Sequence, residues 1–203
     1  MSDKNDMQTR FLLPKAGVRG VCVRLQDTWR DILVHADYAD AARNLLGQSC
    51  AAAALFTGHA KVNGRLSLQL RSRQALRTLF AECTAQGTLR GIAQLADGGD
   101  VPSDLRELGG DALLAITIEN PGLDPREPQR YQSLVSLQAA TLSEAFEGYF
   151  RQSEQLPTRL LLAADGNAAA GLMLQKLPGD KGDSDGWNRA GALFDTLQTD
   201  ELL

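Results

Sequence analysis

The stretch from Leu45 to Gly58 holds no charged side chain and is built of alanines set among Leu45, Leu46, Cys50, Ala53 and Phe56. It predicts a helix that starts at Asp37 or Asp40 and runs to about Gly58. A helix that is apolar on nearly every side must be buried on most of its circumference. Its small side chains let a sheet or a second helix come close. The tightest apolar run, Cys50 to Phe56, is far short of the roughly 20 residues that cross a bilayer, so this helix belongs inside a folded protein. The 203 residues can supply that interior, because a chain of this size buries roughly 70% of its unfolded surface.

Most of what surrounds the helix reads as strand. Val18, Val21, Val23 and Leu25 form a β-branched run around Gly20 and Cys22. Asp27 or Thr28 is expected to cap a short helix through Trp29, Ile32 and Leu33. Asn63-Gly64 is a tight-turn signal, and behind it Leu66, Leu68 and Leu70 alternate with polar residues, the pattern of a half-buried strand. Residues 75 to 83 suit a helix or a strand; Gly87 and the apolar stretch from Arg90 to Leu95 favour a hairpin. Further strands are expected through Leu114, Ile116 and Ile118, and from Tyr131 to Leu137, separated by a proline-rich loop from Asn120 to Arg130. Thr141 and Glu144 have capping-box spacing ahead of an amphipathic helix with Leu142, Ala145, Phe146, Tyr149 and Phe150 on one face. Pro157 stops it. A strand from Arg159 to Ala163 then turns at Asp165-Gly166 into its partner, Gly171 to Leu177.

These elements predict an α+β fold, mostly antiparallel sheet packed with helices including the buried alanine-rich one. Residues 1–178 form the core domain in this reading. Residues 179–203 form a linker and the start of an interdomain helical region. Residues 179–186 lack apolar side chains and read as flexible, and Trp187, Ala190, Phe194 and Leu197 then share one face of a final helix.

The net charge of −4 argues against nucleic acid or an anionic membrane surface as partner. Arg71, Arg73 and Arg77 are the densest basic group, lack interleaved aromatics and read as a solvated face. The polar segment from Met1 to Arg10 has no secretory signal pattern, so a cytoplasmic location is expected. Cys22, Cys50 and Cys83 stand far apart, in neither a zinc-ligand nor a paired redox pattern, and read as small buried hydrophobes. His35 and His59 each fall at a predicted helix end, where an imidazolium would meet the helix dipole favourably.

No constellation announces catalysis. Gly47-Gln48-Ser49-Cys50-Ala51 resembles a nucleophile elbow only distantly, and it lies inside the helix pattern. There is no phosphate-cradling loop. Asp180, Asp183 and Asp185 lack the ligand order of a calcium loop, and Asp104 with Glu107 reads as a surface turn. The sequence therefore predicts no catalytic, cofactor-binding or metal-binding residue and no enzyme. The competing expectation is a thiol-dependent enzyme using Cys50 or Cys83.

The run Tyr149-Phe150-Arg151-Gln152-Ser153-Glu154-Gln155-Leu156-Pro157-Thr158 resembles the Y-F-x-x-S-E-Q-L-P-T signature of the thirty-three-kilodalton chaperonin family. Ala169 to Pro178 is similar to the family's A-A-G-G-L-L-L-Q-x-L-P strand, with Ala170 in place of one glycine. Val18-Arg19-Gly20, Arg90-Gly91-Ile92-Ala93 and Tyr131-Gln132 fall in matching order. The resemblance implies a redox-regulated, ATP-independent chaperone, a holdase that binds unfolding client proteins under oxidative and heat stress, and a homodimer. It also implies zinc, held by Cys-x-Cys and Cys-x-x-Cys in a C-terminal switch domain beyond the position of Leu203. Which apolar residues touch clients is not legible in the sequence.

Overall fold

The computed structural model describes residues 5–60, 62–73, 76–96, 99–122, 124, 128–135, 137–179 and 183–203. Its strands are β1 (Met7–Leu13), β2 (Val18–Leu25), β3 (Arg65–Arg71), β4 (Leu76–Thr84), β5 (Leu89–Leu95), β6 (Leu113–Asn120), β7 (Gln129–Val135), β8 (Thr158–Ala164) and β9 (Ala169–Lys176). Its helices are α1 (Asp27–Leu33), α2 (Asp40–His59), α3 (Leu142–Ser153) and α4 (Gly186–Phe194). The strands make two antiparallel sheets, one in the order β1-β2-β9-β8 and one in the order β5-β4-β3-β6-β7. This is the α+β architecture the sequence predicts.

Helix α2 lies between the two sheets and packs on strands of both. Of its side chains, Leu46, Cys50, Ala51, Ala52, Ala53 and Leu55 are fully buried, so no face of the helix needs charge. The alternating leucines of β3 point inward to it, and Val21, Val23, Leu160, Leu162 and Met173 meet it from the other sheet. At two places the approach needs glycine. A Cβ on Gly91 of β5 would stand 2.7 Å from Cys50 Sγ, and one on Gly171 of β9 would stand 2.6 Å from Leu55 Cδ1.

Helix α3 closes the end of this core. Phe146 and Phe150 meet Phe56 of α2 edge-on, with ring centroids 4.8 and 5.2 Å apart, the geometry in which ring edges face the electron-rich face of a neighbour. The capping box forms with a shift: Thr141 Oγ1 accepts from Glu144 N, while Glu144 Oε2 accepts from Ala140 N, one residue before the cap.

Two local expectations are corrected. Neither Asp27 nor Thr28 caps α1, whose N-cap is Gln26 without a side-chain bond. Asp6 does the work from outside the helix: its carboxylate accepts from Gln26 N at 2.7 Å, Thr28 N at 3.1 Å and Thr28 Oγ1 at 2.5 Å. Asn63-Gly64, read as a tight-turn signal, is a bend between α2 and β3, and Asn120 Oδ1 accepts from both backbone N–H groups. The linker expected over 179–186 is anchored in its later part, where Asp183 N donates to Lys15 O at 2.8 Å and Asp183 and Asp185 both pair with Arg189. Asp180 lies outside the described residues. The hairpin expected from residues 75 to 95 is present as β4 and β5, with Gly87 at φ +81 in its turn.

Because Phe146 is fully buried against Phe56, Phe146→Ala is expected to destabilise the fold by about 3–5 kcal/mol. Urea unfolding followed by circular dichroism checks this; a loss under 1 kcal/mol would mean that α3 does not close the core.

Candidate functional site

The face of β1-β2-β9-β8 turned away from α2 is apolar and covered. Val18, Leu172 and Leu174 form its centre, flanked by Phe11 and Leu161, and α4 lies across them. The residues predicted to share one face of the last helix do so here: Ala190 and Phe194 are buried, and Trp187 and Leu197 are partly buried. Polar groups at the rim fix the helix in place. Arg159 of β8 pairs with Asp195 at 3.2 Å, Arg24 donates to the main-chain oxygen of Leu203, and Gly186 sits so close to the turn after β1 that a Cβ would lie 2.5 Å from Ala16 Cα.

At one end of the same sheet, on the side facing α2, Arg19, Gln175 and Thr158 stand in register on adjacent strands. Gln175 is fully buried, so its amide has to be bonded within the protein. Its oxygen accepts from Arg19 Nε at 3.1 Å, and its nitrogen donates to Glu154 Oε2 and Thr158 Oγ1, each at 3.1 Å. Arg19 also donates through Nη2 to His59 Nε2 at 3.0 Å. A guanidinium has no lone pair to offer, so His59 accepts at Nε2 and carries its proton on Nδ1. Burial first, and then the neighbouring Arg19, lower its pKa to about 4.

His59 therefore is a neutral acceptor at the end of α2. The imidazolium role expected for it is corrected: a charge there would be desolvated and face Arg19. His35 lies just past the end of α1. The sequence reading missed the junction of Arg19, His59, Glu154, Thr158 and Gln175, although there was a signal for it: Arg19 and Gln175 are polar residues on the strand faces that otherwise carry Val21, Val23 and Leu25, and Met173, Gly171 and Ala169.

The cysteines are free: Cys22 lies on the outer face of β2, Cys50 in α2 and Cys83 on β4, the last two near each other in the core. Burial, with Cys83 nearby, pushes the Cys50 thiol up to about 12, and burial also raises Cys83 and Cys22. A nucleophilic cysteine needs its thiolate, so Cys50 and Cys83 are not placed for the thiol chemistry held open for them. Ser49 Oγ, in the elbow-like segment, donates back to Leu45 O within α2. Asp104 caps a short 3-10 turn and pairs with Arg106, which holds its carboxyl below the usual range. Arg73 pairs with Asp111, and Arg71 is exposed. Among the described residues no group of three or more His, Cys, Asp or Glu could hold a metal ion, and no helix is long and apolar enough to cross a membrane.

Two of the family-like segments, Tyr149 to Thr158 and Ala169 to Pro178, meet at Gln175, and Val18-Arg19-Gly20 joins them there. The profile of the family described as Hsp33 protein matches residues 6–203. This chain belongs to the Hsp33 family. A relative named 33 kDa chaperonin from Nitrosococcus oceani is 41% identical over 100% of this chain and 68% of its own length. Another, from Azotobacter vinelandii, is 41% identical over 98% of this chain and 67% of its length. The fold is shared with the crystal structure of the 33 kDa chaperonin (heat shock protein 33 homolog) of Thermotoga maritima, at TM-score 0.70 and 18% identity, covering 95% of this chain and 68% of that one. Relatives so named support a chaperone function for this Hsp33 chain.

His59 gives the junction a pH signature. Its folded pKa of about 4 lies below the ordinary 6.5, so on acidification the unfolded chain takes up the proton first. The contribution is fully present above about pH 6.5 and is lost as pH falls towards 4, by at most about 3 kcal/mol. His59→Gln keeps an acceptor for Arg19 without titrating. Urea unfolding at pH 7, 5.5 and 4.5 should show the stability gap between wild type and variant narrowing with acid; a gap independent of pH would refute a buried neutral His59.

Proposed function

We propose that this chain is an ATP-independent holdase, capturing unfolding proteins on the apolar face of β1-β2-β9-β8 when α4 is displaced. The observation that carries this reading is the cover itself. Capture of unfolded chains is driven by non-directional burial of apolar surface, and here such a surface lies beneath one short helix. That helix seats Trp187, Ala190, Phe194 and Leu197. A fully buried large apolar side chain contributes roughly 1.5–3 kcal/mol before ordering entropy is subtracted, so an unfolded chain with many apolar residues competes well against it. The sequence lacks a nucleotide-cradling loop, which fits a cycle without ATP.

Redox control belongs to the proposal through the family resemblance. The three cysteines of this chain are free and raised in pKa by burial, and among the described residues they join no group of three or more possible metal ligands. The switch is accordingly proposed to lie in a zinc-binding segment outside these 203 residues, with client capture assigned to the residues present. We place the protein in the cytoplasm in this reading, with unfolded proteins as partners and a second copy of itself.

Light scattering of a heated client tests the capture reading. The chain is expected to suppress aggregation equally with and without peroxide, and equally after alkylation of its thiols. Suppression that appears only with peroxide would assign a switch to Cys22, Cys50 or Cys83, and no suppression in any condition would refute the holdase. The dimer has its own check: sedimentation at tens of micromolar is expected to show two chains per particle, and a pure monomer would refute it.

A further inference from the structure

The second sheet also has a face turned away from α2, and among the described residues the other helices meet this sheet chiefly at its edge strands, α1 at β5 and α3 at β7. The strand register lays out its side chains in rows. Ile92, Phe80, Gln69, Ala115 and Leu134 stand side by side across all five strands. Leu113 lies next to Ala115 along β6. Ile92 and Leu134 at the two edges of this row are 44% and 63% exposed and Leu113 beside it is 43% exposed, with Phe80 and Gln69 half-buried and Ala115 buried between them. The three exposed aliphatic side chains, with Phe80 between them and polar rows alongside, make a polar-rimmed apolar strip of the kind that serves as an interaction surface.

The flanking rows are charged, and the two signs sit at different depths. Arg90, Glu82, Ser67, Thr117 and Gln132 form one row, and Arg65, Glu119 and Arg130 the next. The carboxylates are sunk: the Glu82 side chain is 9% exposed beneath Arg90 at 2.9 Å, and Arg65 Nη2 lies 2.7 Å from Glu119. The guanidinium groups stand outermost, with Arg90 also stacked on Phe80 at 5.5 Å. On the other side of the apolar row is Arg71. Neither Arg71 nor Arg130 has a carboxylate partner among the described residues. A chain of net charge −4 thus turns arginines outward along both sides of an apolar strip.

We propose that this open face docks a polypeptide segment of a client protein in which apolar side chains are flanked by carboxylates. The proposal rests on the chaperone reading and adds a charge preference and a second surface to it. Aliphatic side chains of the segment lie along Ile92, Leu113 and Leu134, and its carboxylates reach Arg71 and Arg130, whose planar donors suit a carboxylate with two parallel hydrogen bonds. A nucleic acid fits the strip less well. Stacking platforms for bases are aromatic, and the one aromatic ring in the row, Phe80, is already occupied by Arg90.

Two rhodamine-labelled 15-residue peptides with the same leucines and valines test this, one with glutamates at the flanking positions and one with lysines. Fluorescence anisotropy with the whole chain at low salt is expected to show the glutamate peptide binding about tenfold more tightly, with the ratio falling towards one at high salt. Arg71→Glu with Arg130→Glu should abolish the preference, and Leu134→Asp should weaken both peptides. All three positions are exposed, and an unchanged thermal midpoint confirms that each variant folds. Equal binding of the two peptides, tighter binding of the lysine peptide, preference for a labelled single-stranded oligonucleotide, or indifference to these substitutions would overturn the proposal. Light scattering separates its failure from that of the chaperone reading: aggregation suppression kept intact by Leu134→Asp places clients elsewhere and sinks only the charged strip, whereas no suppression by the wild type sinks the chaperone.

Discussion

Both sheets bury their inner faces on α2, so the two halves of the molecule share one hydrophobic partner. A sheet face needs an apolar cover, and a helix has only so much circumference to give. Sharing works because the middle of α2 is made of alanines, cysteine and leucines, with nothing charged from Leu45 to Gly58. The short side chains bring the backbones near, and Gly91 and Gly171 receive Cys50 and Leu55 from opposite directions. A charged side chain in that stretch would have to be desolvated whichever way it pointed, at a cost of several kcal/mol. Packing density at such a contact leaves little freedom to slide, which fixes the spacing of the two sheets.

With the inner faces committed to α2, whatever the protein does towards other molecules falls to its outer faces, and these differ. The four-stranded sheet has an apolar outer face with a helix over it, pinned at its rim by Arg159 and Asp195. The outer face of the five-stranded sheet carries arginines that stand above the buried carboxylate of Glu82 and the half-buried one of Glu119. The junction at Gln175 ties α2, α3, β2, β8 and β9 together through the hydrogen bonds of its buried amide and of Arg19. The fully buried Gln175 amide favours one arrangement of these elements, because a shift that broke its bonds would leave a buried donor or acceptor unpaired.

Much of this was readable from period and punctuation. The alternation of Leu66, Leu68 and Leu70 gave the half-buried strand, the spacing of Trp187, Ala190, Phe194 and Leu197 gave the docking face of the last helix, and Thr141 with Glu144 marked the start of α3. What stayed hidden depends on contacts between residues far apart in sequence. Asp6 caps a helix that begins twenty-one residues later, and no local pattern announces that. His59 looked like a surface imidazole at a helix end; its neutrality follows from Arg19 and from burial, both supplied by tertiary packing. The apolar strip of the five-stranded sheet is invisible in sequence for the same reason, since Ile92, Phe80, Ala115 and Leu134 become neighbours only once the register is set.

The Asp6 carboxylate has a mechanical meaning as well as a local one. Strand β1 is an edge strand, bonded to β2 alone, and their register begins where Met7 meets Arg24. Tension on the amino terminus would open that ladder from this end, one pair at a time, which is the weak geometry for an antiparallel pair. Asp6 sits immediately ahead of Met7 and grips Gln26 and Thr28 across the gap. The load therefore reaches a set of charge-assisted hydrogen bonds before it reaches the first strand pair, and the edge strand begins with a clasp.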